Sequence, residues 1–174
     1  MTSNYLEQLA SEWYEYRGFF VRRNVPVGHG DKSGYEAELT IVAIHPGENR
    51  VVHIEPSMDA HSWDVREKRF SKKFNAGREH LVGATGGLCP AENIEQIALI
   101  ALGSRTNHPT LGGGIVLTIA DFMTEILTEL KQRSGDELSV PQQYPILRTL
   151  QFVSENSRAV ITALMDQDPR QIGF

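Results

Sequence analysis

Two runs rich in β-forming residues, YEAELTIVAI (35–44) and RVVHIE (50–55), are separated only by HPGEN. A connection this short cannot carry a crossover, so the runs must pair as an antiparallel hairpin with Pro46 to Asn49 as its turn. The segments around the hairpin follow from periodicity and punctuation. Tyr5, Leu6, Leu9, Trp13 and Tyr16 recur at helical spacing over 4–17, with Ser3 or Asn4 as cap and Gly18 as terminator. Phe19 to Val25 reads as a strand carrying Arg22 and Arg23, and the flexible turn GHGDKSG follows it. HSWDVREKRFSKKFNA (61–76) reads as a helix capped by Ser62 and ended by Gly77, and GATGGLCP as a loop. IEQIALIAL (94–102) fits a strand, although periodicity alone leaves a helix open. A glycine turn at 112–114 leads into the strand IVLTI. ADFMTEILTELKQR (120–133) is amphipathic, with Phe122, Ile126, Leu127 and Leu130 on one side. A further helix is expected at 144–153, entered through Pro141 and Pro145, and a loose polar tail after Asp166. The order is α-β-β-β-α-β-β-α, then helical material. A crossover helix between the third and fourth strands requires a parallel pair and a sheet covered on both faces.

The chain has 174 residues and 40% hydrophobic content, enough for one domain with a proper core, so a single domain over 1–174 is expected. Its net charge is -5, which disfavours nucleic acid overall and leaves such a partner dependent on a local basic patch. One cysteine, Cys89, rules out a disulfide framework within the chain. No apolar run reaches the length of a membrane span, and MTSNYLEQLASEWYEYRGF lacks a basic start followed by an apolar stretch. The expectation is a cytoplasmic protein with no membrane partner.

EAELTIVAI is similar to the acidic second strand of the PD-(D/E)xK restriction-endonuclease-like nucleases. VVHIEPS is similar to their third strand, and WDVREKRFSKKF looks like the helix after it. By motif the resemblance covers roughly residues 4–76, and by element order it extends to about 133. It implies an α/β fold with a restriction-endonuclease-like mixed β-sheet flanked by helices. It also implies hydrolysis of phosphodiester bonds in DNA with Mg2+ as cofactor. Such hydrolysis needs an activated water and a charge sink, both of which a divalent metal supplies. Glu38 and Glu55 are the candidate metal ligands, on neighbouring strands and so able to share an ion. Strand alternation puts Glu36, Glu38 and Thr40 on one face of the second strand, and His53, Glu55 and Ser57 on one face of the third. Two departures stand out: Thr40 takes the place of the usual aspartate, and Ser57 that of the lysine after Glu55. Lys68 and Lys72, at i, i+4 spacing on the next helix, are the candidates for a migrated catalytic lysine. Many relatives carry another acid on the first helix. Glu12 is the candidate here, ahead of Glu7.

Each of these residues also has a plainer reading. Glu38 and Glu55 can be solvated charges, and His53 a structural strand histidine. Asp59 and His61 can form a loop and helix cap. Between Arg66 and Arg78 lie six of the 17 Lys and Arg residues, with Arg66, Arg69 and Lys73 on one face and Trp63, Phe70 and Phe74 on another. In an acidic chain that concentration marks Arg66, Arg69, Lys73 and Arg78 as candidate phosphate contacts, against the alternative of a solvated face. Three functions therefore compete. The first is a magnesium-dependent nuclease acting on DNA. The second is a catalytically inactive nucleic-acid- or protein-binding module on the same fold, favoured by Ser57. The third is a homodimeric interaction protein using LRTLQFV (147–153).

Overall fold

The computed structural model describes residues 4–29, 34–87, 90–133 and 139–165. Part of the GHGDKSG turn, Cys89 and the polar tail lie outside the described residues. The fold is α/β, with a mixed six-stranded sheet in the order β1-β2-β3-β4-β6-β5 and helices packed on it, as the sequence implies. The chain divides into two compact units, Met1–Phe122 and Met123–Phe174.

The first unit opens with α1 (Tyr5–Tyr16), whose N-cap Asn4 accepts a hydrogen bond from the Leu6 amide. Its apolar stripe buries Leu6, Leu9, Ala10 and Trp13, and the helix packs on β1 to β3. Strands β1 (Phe20–Val27), β2 (Ala37–His45) and β3 (Arg50–Ser57) form an antiparallel meander, and β2 and β3 make the expected hairpin with Val42 opposite His53. Helix α2 (Trp63–Ala84) crosses over to β4 (Ile94–Ile100), which lies parallel to β3. β5 (Thr110–Leu111) turns back into β6 (Gly114–Thr118), which runs parallel to β4. Phe70 and Phe74 of α2 pack with Ala98, Ile100, Leu111 and Val116, which puts the crossover helix directly over the sheet.

Helix α2 does not stop at Gly77 but runs on to Ala84. Gly77 is there for closeness: a Cβ at this position would lie 2.5 Å from His53 Nδ1 and 2.9 Å from Gln96 Nε2. The gap lets the helix settle onto a buried polar pair. Gly77→Ala gains about 1 kcal/mol of helix propensity but overpacks the contact by about 1–3 kcal/mol. The expected result in urea denaturation is a net loss of stability, since His53 is fully buried and has nowhere to move.

The hairpin has a local break at Thr40. Pairing of β2 with β3 ends at Ile41 opposite Ile54. Pairing of β1 with β2 passes from Arg23–Ile41 to Val25–Leu39, skipping Asn24, which adopts a left-handed φ of 52°. Asparagine tolerates that conformation better than most residues. Leu39 and Val42, three apart in the strand, both join the cluster with Ala76 and Leu81 of α2, so alternation is interrupted between them.

Helix α3 (Ile119–Arg133) begins at the end of the first unit and continues into the second. The second unit adds α4 (Pro145–Glu155) and α5 (Ser157–Met165). Within it Lys131 Nζ donates to Ser157 Oγ at 2.6 Å, and Arg148 donates to the Val140 carbonyl at 2.7 Å. Among the described residues no helix is long and apolar enough to cross a membrane.

Candidate nucleic-acid interface

The break at Thr40 builds the centre of the site. With its ladder partner gone, the Thr40 amide donates to Glu55 Oε1 at 2.8 Å, and the Thr40 hydroxyl donates to Oε2 at 2.5 Å. His53, one pleat back on β3, donates from Nε2 to Oε1 at 2.9 Å. Its Nδ1 faces Gln96 Nε2 at 3.3 Å, and Gln96 is itself fixed by donation to the Phe74 carbonyl and by Arg78 on its Oε1. The ring therefore carries its proton on Nε2, aimed at the carboxylate. Burial works to raise the Glu55 carboxyl. The hydrogen bond from His53, the Lys73 ammonium and the Thr40 hydrogen bond outweigh it and hold Glu55 below its usual value.

The lysine that reaches back over Glu55 is Lys73, not Lys68 or Lys72. Its Nζ lies 3.6 Å from Oε2 and also donates to the Glu38 carbonyl. Lys72 is exposed beside it, and Lys68 is exposed one turn earlier. Glu38 offers its backbone rather than its carboxylate to this lysine and is itself exposed. On α1, the Glu7 carboxyl is coupled electrostatically to this group. Burial raises its carboxyl, Arg23 and Lys73 lower it, and the Glu55 charge raises it further. Glu12 is buried and accepts from Gln8 Nε2 at 2.9 Å.

Ser57, in the place of the expected lysine, donates to Asp59 Oδ2 at 2.5 Å and accepts from Arg69 at 2.8 Å. Asp59 also pairs with Arg69 at 2.5 Å and Arg66 at 3.3 Å, and it accepts from the His61 amide. Burial acts to raise its carboxyl, but bonds from Ser57 and Arg69 hold it well below the carboxylate range. Asp59 therefore serves as the anchor of the loop into α2. Two of the four candidate phosphate contacts are hydrogen-bonded within the protein, Arg66 buried and Arg78 exposed. Arg66 is 3% exposed and donates to the Leu102 and Asp59 carbonyls. Arg78 donates to Gln96, Asn75 and the Gly112 carbonyl. Spacing put Arg66, Arg69 and Lys73 on one helical face, and the burial of Arg66 among them is a tertiary fact invisible to spacing.

Two clefts remain open above this network. The inner one, of about 210 Å³, is lined by Thr40, Glu55, Pro56, Arg69, Phe70 and Lys73. The outer one, of about 510 Å³, shares Arg69 and Lys73 and adds Lys72, Glu36, Glu38 and Tyr35. No known family model matches the chain, and no curated protein matches it.

A magnesium ion needs carboxylate oxygens with lone pairs free to face it. On Glu55, Oε1 already accepts two hydrogen bonds, and Oε2 accepts one and faces the Lys73 ammonium. Among the described residues, the grouping of three metal-ligating side chains within 4.8 Å of one another is Glu36, Glu79 and His80, which includes neither Glu38 nor Glu55. The Glu55 oxygens, occupied in this way, do not fit the ion that the resemblance implies.

Proposed function

We propose that the chain is a nucleic-acid-binding module of restriction-endonuclease-like architecture that holds a phosphate backbone in the cleft between β2 and α2 without magnesium-dependent cleavage. The observation that carries this reading is the saturation of Glu55 by Thr40 and His53. The donor set that would hold a metal in a nuclease is here closed by hydrogen bonds, and a lysine stands over it. A satisfied acid flanked by Arg69, Lys72 and Lys73 leaves cations, not a Lewis acid, as the chemistry presented to a ligand. Cations of this kind bind phosphates by releasing counterions, so affinity falls as salt rises.

Fluorescence anisotropy with a labelled oligonucleotide tests the proposal. Binding is expected to weaken steeply between low and physiological salt. Lys72→Glu, at an exposed position outside the Glu55 network, is expected to weaken it about tenfold at low salt. The same preparations incubated with magnesium or manganese are expected to leave DNA and RNA intact. Metal-dependent cleavage that disappears in Glu55→Gln would replace this reading with the nuclease one. Absence of salt-sensitive binding would remove it altogether.

A further inference from the structure

We infer that the preferred ligand of this cleft is a single strand, one base of which stacks on Tyr35; the inference rests on the phosphate-binding reading above. Tyr35 lines the outer cleft with Lys72 and Lys73 and is 67% exposed, a large ring left in water at the edge of a cationic groove. Aromatic rings placed beside backbone-binding cations are the recurrent platform for unpaired bases. Every base has a π-face to offer, and a duplex keeps its faces inside its own stack.

The charges in the groove point the same way. Arg69, Lys72 and Lys73 are interleaved with Glu36, Glu38 and Glu55. A surface for duplex DNA gains from dense positive charge, and three carboxylates among three cations forfeit most of that gain. A single strand brings fewer phosphates and exposes its base edges. The exposed Glu38 carboxylate is an acceptor with no role toward phosphate, and it suits the exocyclic amino groups of unpaired bases, while Glu36 is already paired with His80 at 3.0 Å. Cytosine and adenine carry such donors and thymine does not, so oligo(dC) should bind better than oligo(dT).

Anisotropy titrations of oligo(dC), oligo(dT), a mixed-sequence duplex of the same length and an abasic strand test this. Oligo(dC) is expected to bind about tenfold more tightly than the duplex or the abasic strand. Tyr35→Ala is expected to lose about tenfold on oligo(dC), within the range of one lost base stack, with Tyr35→Phe close to wild type. Duplex and abasic strand binding as tightly as oligo(dC), with Tyr35→Ala unchanged, would overturn the single-strand inference. If that binding still weakens with salt and in Lys72→Glu, the phosphate reading survives it. No binding of any of the four probes would overturn both.

Discussion

Replacing Glu55 by alanine is expected to cost the fold about 3–5 kcal/mol in urea denaturation at neutral pH, the range for removing one partner of a buried charged pair. The loss does not come from the carboxylate alone. The substitution takes the acceptor from the Thr40 amide, the Thr40 hydroxyl and the Nε2 proton of a fully buried His53. Glu55→Gln keeps the size and one acceptor oxygen, so its loss should be smaller. The pH dependence has a defined sign. Because the folded carboxyl is held below its usual value, its contribution is complete above the unfolded value of about 4.3. That contribution is lost as pH falls through the lower folded value. The stability gap between wild type and Glu55→Ala should therefore narrow as the solution is acidified below about pH 4. A gap that stays constant into strong acid would show that folding leaves the Glu55 carboxyl at its unfolded value.

Arg66→Ala is expected to destabilise by about 3 kcal/mol, through lost acceptor partners and lost packing. The guanidinium satisfies the Leu102 and Asp59 carbonyls, pairs with the Asp59 carboxylate and lies 5.2 Å over the Trp63 ring. Arg66→Lys keeps the charge but has no planar fork to reach two carbonyls and a carboxylate together, so it should recover only part of the loss. Nucleic-acid binding, measured where both proteins remain folded, should be unchanged by Arg66→Lys. A binding defect equal to that of Lys72→Glu would mean that Arg66 touches the ligand.

The hairpin was legible because a five-residue HPGEN connection permits little else, and α1 because its apolar stripe is long and capped by Asn4, whereas Ser62 makes no side-chain cap bond on α2. The end of α2 was misjudged at Gly77 because glycine has two uses. It terminates helices, but it also permits close approach, and only the three-dimensional position of His53 separates the two. Lys68 and Lys72 stand out in the sequence by their i, i+4 spacing on one helical face, and that spacing carries no information about which lysine meets the Glu38 carbonyl and Glu55, which is Lys73. The substitution of Thr40 for the expected aspartate did carry a usable signal, since a hydroxyl facing a glutamate across a hairpin is a donor looking for that acceptor.

The Thr40 amide offers an internal gauge of the cleft. Its hydrogen is held by a side-chain oxygen instead of by the neighbouring strand, so its protection against exchange with deuterated water depends on one carboxylate. Flanking amides such as that of Val42 sit within the paired stretch of the meander. A molecule that draws Glu55 toward itself would quicken exchange at Thr40 while leaving those neighbours slow. A molecule that settles only on the cations would leave both unchanged. One backbone position can thus report whether an occupant of the groove reaches its floor or stays at its rim.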